Sequence, residues 1–413
     1  MGGSRSICGT LVREIPAGGC QLALSQIASM AVVRDPHGGP RPHIYWTDSA
    51  GGQSSSHDHF PLLIADVMDG QTSEAVDEHE FNTMSSHEAV HQPIHPDVRP
   101  LLDPEYVTFH DQYFQYLVPD DQKVWDGSAR LKSPSLPLME SSPIEVGKIE
   151  NLTVGNFDVR TFTPSALPDQ CQPWPVFIWF HGGGWAVGDV NMSNDLCALI
   201  CDRAKCVVIT VGYRLAPEHP FPAAFEDAVD ALKWIHSDEG NKRLSIDRRR
   251  IALGGTSAGG QLAASLVMKA ATLQPPIPVQ FQILVVPVID NTATVDGIWS
   301  QNRNAPWLTP ARMLWYRRMY LLNESDCARW EASPNLASKE LLATSPKTWI
   351  AVSEQDLLAP EAQRYAEQLR MAWNTKGIEN MEVKVRVYGG STHSVLAMSG
   401  QYRVTHPLSN ANT

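Results

Sequence analysis

The chain has no apolar run near the ~18 residues a membrane-spanning helix needs, although 43% of its 413 residues are hydrophobic. A transmembrane span is therefore not expected. It has no run of lysine and arginine longer than the "RRR" of 248–250, and its formal net charge is −12. Neutralising phosphates takes clustered cations, so a nucleic-acid partner is excluded, and an anionic membrane surface is disfavoured for the same reason. It has no C-x-x-C pair: the seven cysteines (8, 20, 171, 197, 201, 206 and 327) are odd in number and scattered. That suits neither a disulfide framework nor a zinc site, and reduced, mostly buried thiols are expected, with no metal and no cofactor.

Residues 1–95 lack a sustained helical or strand period, and they hold eight of the fourteen histidines amid Gly- and Ser-rich stretches such as "SAGGQSSSHDHF". This segment reads as a disordered extension. "MGGSRS" matches the myristoylation pattern with Gly2 as acceptor. "CQLALSQIASMAVV" is interrupted by Gln21, Ser25 and Gln26 and has no cleavage site after it. A cytoplasmic chain is the expectation.

From 96 the pattern becomes regular. "DPEYVTFHDQYFQYL" predicts an amphipathic helix capped by Asp103 with Pro104 at its first position, followed by a proline-rich connector to 143. "IEVGKIENLTVGNFDVRTFTP" alternates as two antiparallel strands. Beyond 175 come short apolar runs, "VFIWF", "CVVITVGY", "RIALGG", "FQILVVPV", "TWIAVSEQ" and "VKVRVYGG", separated by stretches with a helical apolar stripe. Strands buried on both faces look like this, so the class is α/β with a parallel sheet and crossover helices. The catalytic domain is placed at 144–403, with a tail at 404–413.

Three strand ends carry residues with chemical potential. "GTSAGG" holds Gly255, Ser257 and Gly259 in G-x-S-x-G between a strand and a helix, the context in which a serine projects from a sharp turn. "HGGGW", 181–185, follows an apolar strand. Its glycines let a loop aim main-chain N–H groups at a developing oxyanion; Gly183 and Gly184 would supply two donors and Ala258 a third. A serine hydroxyl needs an imidazole base, and after Ser257 only His393 and His406 remain, of which His393 follows a strand. Asp356, after "TWIAVSEQ", is the expected orienting carboxylate, with Glu354 and Asp290 as competitors.

Together with "YRLAPEHPFPAAFEDA" (213–228) and "DLLAPE", these motifs resemble the hormone-sensitive-lipase-like family of α/β-hydrolase serine esterases over about 100–400. The resemblance implies an eight-stranded, mostly parallel sheet with a helical cap. That cap would be built from 96–143 and from an insert at about 291–335. It also implies Ser257 as nucleophile, Asp356 as orienter, His393 as base and acid, and Gly183, Gly184 and Ala258 as the oxyanion hole. Thr256 stands where many members carry Asp, Leu357 where proline is usual, and Ser394 and Val395 follow His393. Trp185, Trp299, Trp307 and Trp315, with Tyr316 beside the last, are candidates to line a substrate pocket. The implied activity is hydrolysis of short-chain acyl esters of a small, apolar or aromatic molecule. Its alternatives are an amidase of the kynurenine-formamidase type, an acetylesterase tailoring a fungal secondary metabolite, and a non-catalytic ligand receptor.

Overall fold

The computed structural model describes residues 89–130, 144–165, 173–379 and 381–394. The myristoylation match, the His-rich stretch to 88 and the tail at 404–413 lie outside the described residues. Within the segment expected to end at 95, Gln92 and Ile94 are tied into the packed structure: Ile94 is buried, and the Gln92 side-chain amide donates to the Leu117 carbonyl at 2.7 Å.

Eight strands form one sheet: β1 (Lys148–Val154), β2 (Phe157–Thr163), β3 (Trp174–Phe180), β4 (Val207–Gly212), β5 (Ile246–Thr256), β6 (Phe281–Val285), β7 (Lys347–Ser353) and β8 (Val383–Tyr388). Their order is β1-β2-β4-β3-β5-β6-β7-β8. The β1–β2 and β2–β4 pairs are antiparallel and the remaining pairs parallel. The helices are α1 (Pro104–Gln112), α2 (Asn194–Ala204), α3 (Ala223–His236), α4 (Asp238–Leu244), α5 (Ala258–Thr272), α6 (Pro310–Tyr320), α7 (Lys339–Leu342) and α8 (Ala359–Lys376).

The near-continuous apolar strands divide their side chains between two cores. In β3, Val176, Ile178 and Phe180 enter the larger core with α3, α5 and α8, whereas Phe177 and Trp179 enter the other core with α2. The strand period of two makes that division, and each fully buried large side chain contributes about 1.5–3 kcal/mol. A third, small core belongs to the N-terminal cap: Ile94, Val98, Leu102, Tyr106, Phe109 and Phe114, with Trp307 of the insert packed against it. Trp307 stacks on Phe114 at 4.4 Å between centroids, so the two cap segments join around an aromatic pair. As the sequence predicts, Asp103 caps α1, its side chain accepting the Glu105 N–H at 2.8 Å.

The stretch at 213–228 becomes a loop, 213–222, and the first turns of α3, and Asp227 of the helix holds the start of the loop. Buried Asp227 accepts the Arg214 backbone N–H at 2.8 Å and pairs with its guanidinium. Removing that carboxylate strands a main-chain donor and a half-sheltered cation together. Asp227→Ala should therefore cost about 2–3 kcal/mol, read as a lower urea midpoint. A midpoint equal to that of the unaltered chain would refute this account of the loop.

Candidate active site

β5 ends at Thr256 and α5 begins at Ala258, which leaves Ser257 alone to make the reversal at φ 54°, ψ −118°. A side chain carries a conformational penalty there, of order 1–3 kcal/mol, unless its surroundings force the position. The surroundings are hydrogen bonds: the Ser257 N–H donates to the Val285 carbonyl at 2.9 Å, and the Ser257 carbonyl accepts the N–H of Gln261 and of Val288, both at 3.1 Å. Gly259 permits the close approach, since a Cβ there would lie 2.1 Å from the Phe180 carbonyl oxygen at the end of β3.

The structure brings the three expected side chains together. His393 Nε2 lies 2.9 Å from Ser257 Oγ, and His393 Nδ1 lies 2.8 Å from Asp356 Oδ2. A carboxylate only accepts, so Nδ1 carries the hydrogen and Nε2 is left to take a proton from the hydroxyl. His393 keeps 11% of its side chain exposed and Asp356 only 1%, which leaves the working end of the imidazole accessible and its anchor sheltered. The other Asp356 oxygen accepts the Leu358 N–H at 3.1 Å. The competing carboxylates are engaged elsewhere: Glu354 accepts the Gly390 N–H, and Asp290 accepts from Thr292 and Asn335.

The glycine loop lies beside this group, with Gly182 packed against Thr256 and the Ser257 Cβ. The Gly183 carbonyl accepts the N–H groups of Ala186 and Val187, both at 3.0 Å, folding the loop into a tight turn. Gly184 has φ +57°, and a Cβ there would meet the Tyr316 ring at 2.3 Å. Among the described residues, the Gly183 and Gly184 N–H groups have no protein acceptor, and Ala258 opens a helix whose first-turn N–H groups have none within it. These are donors available to an anion. Beneath the loop, the His181 ring stacks on Tyr213 at 4.3 Å, and its Nδ1 meets the Gly182 carbonyl at 2.7 Å. Burial pushes the His181 imidazole down to about 4, so it stands neutral under the donors.

The four tryptophans separate. Trp185 and Trp299 are 0% exposed, which corrects their expected place on a pocket wall. Trp185 stacks on Tyr320 at 4.5 Å and donates to Gln261; Trp299 donates to Glu361 and lies under the Arg317 guanidinium. Both are consumed by internal packing. Trp307 joins the cap segments. Trp315 keeps partial exposure, set edge-on to Trp125 and Tyr316, with Tyr316 against Gly184. Tyr316, the other aromatic of the insert expected at the pocket, is set on the glycine loop by the fold. One residue carries no sequence signal. The Asn302 amide donates to the Glu354 and Asp356 carbonyls, at 2.8 and 2.6 Å, and so fixes the aspartate loop. No motif marks it.

Glu361 ties the insert to α8. Its carboxyl accepts the N–H groups of Ile289 at 2.7 Å and Asp290 at 3.3 Å, and the Trp299 indole N–H at 2.8 Å. Burial pushes this carboxyl up to about 8, with the Asp290 charge adding and the N–H donors opposing.

Comparison with known proteins places the chain among relatives. A sequence family described as alpha/beta hydrolase fold matches residues 177–397. The AB hydrolase superfamily protein C1039.03 of Schizosaccharomyces pombe is 36% identical over 322 residues, covering 74% of this chain and 90% of its own. An ethyl acetate hydrolase of Pseudomonas putida is 30% identical over 271 residues, covering 63% and 81%. Among solved structures, a thermostable esterase from Pseudomonas putida superposes with a TM-score of 0.62 at 25% identity, covering 75% of this chain and 92% of that one.

Two stability measurements test the site's construction. Because glycine adopts the Ser257 backbone angles without strain and alanine does not, Ser257→Gly should unfold at a higher midpoint than Ser257→Ala, by about 1 kcal/mol. Equal or reversed midpoints would show that the turn is unstrained. Glu361 titrates at about 8 in the fold against 4.5 in the open chain, so the folded state holds its proton more tightly. The stability this contributes is complete below 4.5 and lost as pH rises through about 8. The unaltered chain should therefore weaken relative to Glu361→Gln as pH rises from 4.5 through about 8, read from urea midpoints. Parallel pH profiles for the two would contradict the assignment.

Proposed function

The chain belongs to the alpha/beta hydrolase fold family and is a carboxylic ester hydrolase; from there we propose that it cleaves esters of short acyl groups through an acyl-enzyme on Ser257. The observation that carries this is the continuous relay from Asp356 through His393 to Ser257, at 2.8 and 2.9 Å, beside main-chain donors with no acceptor among the described residues.

Ser257 Oγ attacks the ester carbonyl carbon as its proton passes to His393 Nε2, and the Asp356 carboxylate holds the ring as it becomes cationic. The carbonyl oxygen takes the negative charge and is met by the amides of Gly183, Gly184 and Ala258. Collapse of the adduct breaks the bond to the alcohol oxygen, which leaves with the proton from Nε2. Water then gives its proton to Nε2, attacks the acyl carbon, and releases the acid and Ser257.

The substrate class follows from what borders the donors. Tyr316 lies on Gly184 with Trp315 and Trp125 behind it, an aromatic wall that limits acyl length and suits a small apolar or aromatic ester. The relative named for hydrolysis of ethyl acetate supports a short acyl group. An imidazole already aligned on the serine favours turnover over simple ligand holding.

p-Nitrophenyl acetate and butyrate should be turned over faster than their long-chain counterparts, and Ser257→Ala should lower that turnover by about 10⁴-fold or more. A fluorophosphonate should label the unaltered chain at Ser257. Retained activity in Ser257→Ala would overturn the mechanism, and faster cleavage of N-formylkynurenine than of any ester would assign an amidase instead.

A further inference from the structure

The residue that moves the proton, His393, sits on the least regular part of the site. Residues 389–394 belong to no strand or helix. Main-chain bonds hold the start of that loop: the Gly390 carbonyl accepts the Asp103 N–H at 3.0 Å, and the Ser391 carbonyl accepts the Gln355 N–H at 2.9 Å. On either side of His393 stand Thr392 and Ser394, both buried, their hydroxyls 2.9 Å apart. Both hydroxyls also lie within hydrogen-bonding reach of the phenol oxygen of Tyr106, a fully buried residue of α1 in the N-terminal cap.

The direction of this network can be read from its far end. His110 Nε2 lies 2.7 Å from the Gln92 carbonyl, which can only accept, so Nε2 carries a hydrogen. The His110 ring is buried, and that burial lowers its proton affinity, leaving Nδ1 bare. Nδ1, 3.2 Å away, therefore accepts the Tyr106 O–H, and the Tyr106 oxygen is left to accept from one of the two hydroxyls, while the other donates within the Thr392–Ser394 pair. Gln92 extends the chain further, because its side-chain oxygen accepts from Arg312 of α6 at 2.9 Å. Both segments of the cap are thus connected by hydrogen bonds to the two residues flanking His393.

We propose that Tyr106 and His110 are positioning residues for His393: the seating of the N-terminal cap helix on the loop at 389–394 sets where the imidazole stands over Ser257. This rests on the ester-hydrolase reading above. A catalytic group has to be held within about 0.5 Å of its productive place, and an error near 1 Å can cost about a hundredfold in rate. The phenol touches neither substrate nor reacting atoms. Its effect passes through the backbone of 392–394.

The test uses the 413-residue chain with p-nitrophenyl butyrate, fluorophosphonate labelling and thermal unfolding. Tyr106→Phe keeps the ring in the cap core and removes only the hydroxyl. It should lower kcat about tenfold with KM within twofold, and slow labelling of Ser257 by the same factor. Thr392→Val with Ser394→Ala should lose a similar factor, and adding Tyr106→Phe to that pair should lose nothing more, because all three changes break one network. His110→Gln, which can still donate to Gln92 and accept from Tyr106, should recover most of what His110→Ala loses. The proposal is overturned if kcat of Tyr106→Phe stays within twofold of the unaltered chain, if only KM moves, or if the losses multiply when combined. Should Tyr106→Phe not fold, the Thr392, Ser394 pair decides the matter by the same criteria. Normal labelling of the unaltered chain with unchanged Tyr106→Phe sinks the positioning role alone; no labelling of the unaltered chain sinks the hydrolase reading and this role with it.

Discussion

The arrangement depends on one residue's main chain. Ser257 occupies a conformation that non-glycine residues avoid, and it stays there because both its N–H and its carbonyl are committed to neighbours on β6, the loop after it and α5. The penalty is local, while the restraint is spread over the sheet. The hydroxyl therefore stands at a strand end, beside the positive pole of a helix and open to an imidazole arriving from another loop. Without that commitment the turn would relax, and neither the imidazole nor the glycine donors would face a defined atom.

The rest of the site is arranged around that fixed point in order of decreasing regularity. Asp356 follows β7 directly and is anchored by its own loop and by Asn302. The glycine donors follow β3, supported from below by the stacked His181 and Tyr213 rings. His393 comes last, in an irregular loop, and there the cap contributes through α1. The cap thus has two places in this architecture: α6 presses Tyr316 onto the glycine loop, and α1 reaches the histidine loop.

Much of this is legible in the sequence, for physical reasons that differ by element. The strands announce themselves because burial on both faces demands continuous apolar runs, as in "VFIWF". The elbow and the glycine loop are legible because positive φ and close backbone approach leave few residue choices. Asp356 and His393 are legible because each follows a strand, although 37 and 136 positions separate the partners of the two hydrogen bonds. Side-chain direction outside regular elements is not encoded by any period. Trp185 and Trp299 therefore read as pocket residues, although both rings turn inward to stack and hydrogen-bond. Gln92 and Ile94 read as part of the irregular N-terminal segment for a related reason: their packing depends on partners downstream, among them Leu117.

The register of the central strands carries one more consequence. Phe180 pairs with Gly255, so the last residue before the glycine loop and the residue two before Ser257 are opposite one another in the sheet. Adding or deleting a single residue within 176–180 or 251–255 would slide one set of groups past the other by about 3.3 Å, more than a hydrogen bond tolerates, and would invert every side chain beyond it. Length variation in descendants of this sequence is consequently excluded from the regularly paired segments 176–180 and 251–255, which admit substitutions but no insertions or deletions, whereas the start of the pairing already absorbs a shift between Trp174 and Val176.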